Sequence, residues 1–591
     1  MSRYFNFKKV IQSRLVNVDQ VKLVYFLSLV VGFLSALAAA LLKNAIHFTH
    51  NILTKAITSG YGSYLYLIYP VIGIFLTVLF VRYIVKDKIG HGISKVLYSI
   101  SRNKSYLKAH NTWTSLIAST LTIGFGGSVG AEAPIVLTGS SIGSTIGRLF
   151  KLNYKNVTLL IGCGAAGAVS GIFKAPIAGI VFVLEILLLD LTISSIVPLL
   201  IASVTAATVA YFLMGDTVLF NYNIEESFNI SNIPWYILLG VISGMISLYF
   251  SKMTIFLEGG FEKIRNTYLR LILGGIILGG LVFLFQPFFG EGYDTIMALL
   301  QGNSDLVLSN TIFEQISDHY LVIILFMMGL VLLKVIATSS TNGVGGVGGI
   351  FAPTLFIGGV NGFIVASLLK KFVNAGIPDN RFVLAGMAGM MAGVMHAPLT
   401  AIFLIAEITG GYNLLIPLII TSTVAYITTR SFEKHSIYHV QLAKRGDLIT
   451  HDKDKAVMTR MNWKNEIETD LLKVKPNDNL GELVKVIAMS KRNIFPVVDE
   501  YNILEGIVYL DDVREIMFQQ ELYNSTFVKD LMTLPPSYID KKESIETVME
   551  TFRKTDAWNL PVLDSGYYVG FISKSRIFSA YRELLIEFSE E

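Results

Sequence analysis

GGSVGAEAPIVLTGSSIG, Gly126 to Gly143, sets a single carboxylate, Glu132, among glycines and apolar side chains. An ionisable residue inside hydrocarbon is costly, so one retained there marks a working site. Composition supplies the setting. Of 591 residues, 52% are hydrophobic and only 16% charged, and the mean hydropathy is +0.57; this is a polytopic α-helical membrane protein with something attached. The net charge of +4 is too small an imbalance to point to nucleic acid. The basic residues serve topology instead. A single cysteine, Cys163, excludes an internal disulfide and a Cys-rich metal site.

Outward from Glu132, apolar segments recur from about 23 to 428, among them 157–189, 382–408 and 413–428. Several are too short or too interrupted by Gly and Pro for simple spans, a pattern tolerated only where backbone is buried in protein or lines a wet cavity. GGSVGAEAPIVLTG (Gly126 to Gly139) matches GGVGGIFAPTLFIG (Gly345 to Gly358), and GAAGAVSGIFKAPIAGIVFVLE (Gly164 to Glu185) matches GMAGMMAGVMHAPLTAIFLIAE (Gly386 to Glu407). The membrane part, 21–445, is thus a duplicated unit of roughly 200 residues, with copies at about 21–213 and 234–445. Duplicated transporters place their sites on broken helices at the repeat interface. The sequence does not say whether the copies are inverted.

Arg3, Lys8, Lys9 and Arg14 precede the first apolar run and give residues 1–20 a cytoplasmic place; Lys434, Lys444 and Arg445 do the same for the C-terminal end. No cleavable signal is expected. Composition shifts once, near Gly446. The remainder, 446–591, also repeats: NIFPVVDEYNILEGIVYLDDV (Asn493 to Val513) parallels NLPVLDSGYYVGFISKSRI (Asn559 to Ile577). Each copy reads as strand, turn, strand and helix start. Helical spacing precedes each pair at Leu480 to Ser490 and Ile545 to Lys554, so two α/β copies, about 466–520 and 526–591, should share a core.

Four stretches together resemble the CLC chloride channels and transporters: GHGIS (Gly90 to Ser94), GAEAP (Gly130 to Pro134), GIFAP (Gly349 to Pro353) and Tyr438 in HSIYHVQLAKR. The C-terminal copies resemble a tandem CBS pair. The resemblance implies two inverted repeats with broken helices, a homodimer with one pore per subunit, and chloride or another small anion as cargo. It implies a gate at Glu132 and an anion path along Gly90, His91, Gly92, Ala131, Glu132, Ala133, Gly349, Ile350, Phe351, Ala352 and Tyr438. The Ile350 and Phe351 amides and the Tyr438 hydroxyl would hold the central ion. Physical reasoning agrees, because a helix start offers unpaired N–H groups and partial positive charge. A full buried cation would hold the ion too tightly to release it.

Five positions depart from the family pattern, one of them Ala133, which replaces a Gly after Glu132. His91 stands where Ser is usual; it either adds a titratable donor to the central ion or points away. Ser94 stands where Pro is usual, and Ala131 replaces an Arg, removing positive charge from the outer entrance. Ile186 occupies the position at which proton-coupled members carry an inner acid, and isoleucine relays no proton. The leading expectation is therefore passive chloride conduction gated by Glu132 and modulated by the CBS pair. The alternative is a chloride/proton antiporter in which Glu132 also carries the proton and another group substitutes at Ile186. A CBS-bearing divalent-cation transporter needs more membrane carboxylates than the apolar segments supply, and GIFAP with Tyr438 looks like the chloride pattern rather than a fluoride one. No nucleophile and base pair, phosphate loop or metal-ligand cluster points to an enzyme. The CBS resemblance implies an adenine nucleotide as a candidate ligand, with Asp512, Ser573 and Ser575 as its contacts, although Arg576 stands where an acid is usual. A bacterial inner membrane is the expected location.

Overall fold

In a computed structural model the chain divides into two compact units, Met1–Leu448 and Ile449–Glu591. The structure describes residues 19–57, 64–87, 89, 92–102, 105–187, 193–216, 220, 229–308, 311, 320–373, 377–440 and 461–589.

The named elements of the first unit are all helices. Its first half runs α1 (Gln20–Ile57), α2 (Leu65–Leu79, continued by a π-helical turn, Phe80–Val85), α3 (Ile93–Arg102), α4 (Asn111–Gly124), α5 (Glu132–Leu149), α6 (Tyr154–Phe173), α7 (Pro176–Ile186) and α8 (Ile193–Met214). The second half runs α9 (Ile233–Lys263), α10 (Thr267–Leu284), α11 (Tyr293–Leu300), α12 (Asp305–Leu308), α13 (Tyr320–Gly343), α14 (Phe351–Val373), α15 (Asp379–Met395), α16 (Pro398–Ile408) and α17 (Leu415–Phe432). Among the described residues, nine helical stretches are long and apolar enough to cross a membrane; α7 and α16 are too short to do so.

The duplication is visible in the packing. α5 packs on α6 as α14 packs on α15, and α1, α6 and α8 meet one another as α9, α15 and α17 do. The contacts are close because glycine faces glycine. A Cβ on Gly139 would lie 2.1 Å from the Gly164 carbonyl oxygen, and one on Gly358 would lie 2.4 Å from that of Gly386. Both pairs fall in the repeated sequence blocks, so one crossing was copied with its glycines.

The structure corrects the continuous segments 157–189 and 382–408. Each breaks in its repeated AP motif: Lys174 and His396 turn into the left-handed region (φ 57° and 54°), and Pro176 and Pro398 open the next helix. Proline has no N–H for the preceding turn and is well placed at a helix's first position. The short helices α7 and α16 then lie side by side. Glu185, near the end of α7, accepts from the Leu399 and Thr400 N–H groups at the start of α16 (3.0 and 2.7 Å). Glu407, near the end of α16, accepts from Ile177 and Ala178 at the start of α7 (3.1 and 2.9 Å). Equivalent helices therefore run antiparallel, and the two halves are inverted with respect to each other.

In the second unit, α18 (Leu480–Met489), β1 (Ile494–Val498), β2 (Leu504–Tyr509), α19 (Leu510–Val513) and α20 (Val528–Leu531) form one copy. β3 (Ile539–Asp540), α21 (Ile545–Thr555), β4 (Asn559–Asp564), β5 (Tyr567–Ser573) and α22 (Lys574–Ser589) form the other. β1 and β2 pair antiparallel; β4 pairs antiparallel with β5 and parallel with β3. Each copy has its own apolar core, around Leu480, Phe495 and Val508 in the first and Val548, Leu560 and Ile572 in the second. A third cluster, with Val498, Ile507 and Phe571, joins them.

Candidate functional site: the meeting of the two repeat loops

The loops before α5 and α14 are pinned by reciprocal backbone hydrogen bonds, Gly130 N–H to Gly349 oxygen (2.9 Å) and Gly349 N–H to Gly130 oxygen (2.6 Å). The N-terminal ends of two helices from opposite repeats are thereby brought to one place. Each contributes unpaired amides and the positive end of its dipole. Glu132 is the first residue of α5, only 2% exposed. Its carboxylate folds back over the pinned loops, since a Cβ on Gly130 would sit 2.0 Å from Oε2. Only glycine fits at 130.

Glu132 Oε1 accepts from the Tyr293 hydroxyl at 2.7 Å, while Oε2 has no hydrogen-bond partner among the described residues. Tyr293 opens α11 directly after Gly292, whose left-handed backbone (φ 85°) lies against the Phe356 ring. Two positions earlier in the same turn, Glu291 Oε1 accepts the Ala131 N–H at 3.1 Å. Lys334 of α13 is fully buried, with Nζ 4.6 Å from the Phe356 ring centre and 5.5 Å from that of Phe288. Its charge interaction is with Glu291. Glu291, Tyr293 and Lys334 were not among the sequence candidates. The available signal was a glutamate between two glycines immediately before a helix, in GEGY.

On the other side of the pinned loops is a cavity of about 170 Å³ lined by Ser94, Ala133, Gly349, Ile350 and Tyr438. Tyr438 is 4% exposed and its hydroxyl has no partner among the described residues. The Ser94 hydroxyl donates to the Tyr438 carbonyl at 3.2 Å, and Gly92 (φ 59°) abuts the Ala133 carbonyl. Phe351 and Ala352 are buried at the start of α14. Gly90 and His91 lie outside the described residues. Two acids of α9, Glu258 and Glu262, line the same cavity and escaped the sequence reading. What converges here is a set of helix amides, one unpartnered hydroxyl and one buried carboxylate, and helix N-termini of this kind favour negative charge.

The family model described as "Voltage gated chloride channel" matches residues 73–430. The chain belongs to this family. The CBS domain model matches twice more, at 463–519 and 528–583, so the CLC domain is followed by a CBS pair. The CLC chain is similar to the putative chloride channel protein ClcB-like of Ralstonia nicotianae, 28% identical over 387 residues, 64% of this chain and 86% of the relative. It is also similar to the H(+)/Cl(-) exchange transporter ClcA of Vibrio cholerae, 27% identical over 429 residues, 70% and 88% of the two chains. A slow cyanobacterial Cl-/H+ antiporter shares the fold at a TM-score of 0.62 and 23% identity, over 71% of this chain and 97% of that one.

Ile186 of this CLC domain is fully buried at the end of α7, where it contributes no polar atom beyond its backbone. His439 faces that backbone, with Nδ1 2.6 Å from the Ser436 hydroxyl. In the CBS pair the nucleotide candidates are not equivalent. Asp512 is exposed in α19. Ser573 is buried and donates to Glu468 Oε1 at 3.0 Å, with the Ser575 hydroxyl 3.3 Å away. Glu468 also meets Arg492 at 2.7 Å and Arg576 at 3.6 Å, so Ser573 belongs to an internal ionic network.

Proposed function

We propose that this CLC protein carries chloride passively through each subunit of a homodimer in a bacterial inner membrane, with Glu132 as the gate. The observation that carries this reading is the Glu132 carboxylate, buried between two helix N-termini and held by the Tyr293 hydroxyl. A tethered anion there occupies the place of a mobile one, and protonation or outward swing clears it. The Ile350 and Phe351 amides and the Tyr438 hydroxyl hold the central ion. The apolar Ile186 supports conduction without protons. Radiolabelled chloride efflux from proteoliposomes tests the gate: Glu132→Ala raises efflux and weakens its dependence on external acid. Unchanged efflux would sink the assignment.

The second reading is chloride/proton exchange, the activity for which the Vibrio cholerae relative is named. The observation favouring it is Glu258, an acid lining the cavity beneath Tyr438. Under this reading Glu258 passes protons that Ile186 cannot, and Glu258→Gln abolishes proton flux while chloride still moves. The CBS pair modulates transport. A nucleotide using Ser573 must first displace Glu468, which supports a regulator that works without nucleotide; calorimetric titration with ATP gives no heat of binding if so.

A further inference from the structure

Glu132 is not the only tethered anion at the outer helix start. Ala131 is the N-cap of α5, and its N–H belongs to the donors that an approaching anion would meet. That N–H is already donated to the Glu291 carboxylate at 3.1 Å. The two acids come from opposite repeats and are close enough for each to feel the other's charge. Left-handed glycines on either side, Gly290 (φ 71°) and Gly292 (φ 85°), aim Glu291 inward. The turn is fixed by the Gly290 N–H bond to the Gly126 carbonyl (3.3 Å) and by the Phe289 ring packed against Gly126.

We propose that Glu291 is a second gating carboxylate: it competes with the permeating anion for the Ala131 N–H while Glu132 competes for the site beside it. The inference rests on the gate assignment for Glu132. Glu291 is surrounded by groups that hold it there. Lys43 of α1 and Lys334 of α13 attract it, whereas Asp294 of α11 and Glu132 of α5 repel it. Tyr293 binds Glu132 instead, and His50 of α1 lies against Phe289 and the edge of Gly290. Lys334 also fits this role. Its Nζ is buried with no hydrogen-bond partner among the described residues, and its charge attracts Glu291, which keeps the carboxylate seated. Ala131, where the family pattern has Arg, leaves room for this exchange.

The test uses the full chain in proteoliposomes. In a Glu132→Ala background, Glu291→Ala should raise chloride efflux by about tenfold, the factor that one hydrogen bond to a charged group is worth. Efflux of Glu132→Ala should keep a residual activation by external acid that the Glu132→Ala/Glu291→Gln double variant loses. Gel filtration and retained chloride binding by calorimetry establish that each variant is folded; if the alanine variant is not, the glutamine variant decides. A double variant with the same efflux and the same acid response as Glu132→Ala overturns the proposal. If Glu132→Ala itself matches the unsubstituted protein, the gate assignment has failed instead.

Discussion

On the proposed gate assignment, the hydroxyl of Tyr293, which donates to Glu132, sets how firmly the gate is shut. A hydrogen bond to a charged acceptor contributes about 1.5–3 kcal/mol, so Tyr293→Phe should shift the gate toward open by about tenfold or more. Chloride efflux at fixed pH reads this directly; a rate at or below that of the unsubstituted chain would remove Tyr293 from the gate. At this scale the sequence was legible where chemistry and backbone coincide. Glu132 in GAEAP could be read because a carboxylate, a glycine and a helix-opening proline lie within five residues. Glu291 and Tyr293 are harder to read, since they reach Ala131 and Glu132 from more than 150 residues away, and Lys334 meets Glu291 only in the tertiary fold.

Helices α7 and α16 carry the clearest message about elements. Each ends in a glutamate that caps the start of the other, which satisfies orphan N–H groups and places negative charge at a positive dipole end. Glu185→Ala and Glu407→Ala should each destabilise the membrane unit by about 1 kcal/mol, Glu185→Ala by the larger amount because Glu185 also accepts from the Thr400 hydroxyl at 2.7 Å. Thermal unfolding in detergent checks both; a loss confined to one of them would show that the reciprocity has no energetic weight. The helix crossings are less forgiving. Gly164→Leu places a branched side chain where even a Cβ would sit 1.9 Å from the Gly139 oxygen, and Gly386→Leu does the same in the second repeat. Neither variant should yield a monodisperse protein in gel filtration. The repeated AP motifs were legible as a repeat but were read as continuous spans, because hydropathy does not register the single left-handed residue before each proline.

On the scale of the molecule, duplication was readable but its direction was not. Sequence similarity between two stretches carries no information about which way each crosses the membrane. The antiparallel pairing of α7 with α16 supplies it. The CBS pair was legible as two strand–turn–strand copies because its apolar runs are short and evenly placed, whereas the ionic network at Glu468 joins residues from three separate stretches and left no local signature. Arg492→Ala leaves Glu468 buried and short of one partner. Arg492 is itself partly exposed, so the expected loss of CBS stability is about 1–2 kcal/mol rather than the full cost of a buried pair. Resistance to limited proteolysis of the full chain measures it. The same arginine holds the Asp470 carboxyl below its usual range through a hydrogen bond. A folded-state value below the unfolded one, near 3.9, means that this contact stabilises the unit above about pH 4 and is lost in stronger acid.

The measurement that bears most directly on passive, Glu132-gated conduction is proton movement in proteoliposomes under an imposed chloride gradient, with the voltage clamped by a potassium ionophore. Chloride should move with no proton flux, and Glu132→Ala should only increase that movement. Protons driven uphill by chloride, and lost in Glu132→Ala, would contradict passive conduction and make the protein an exchanger.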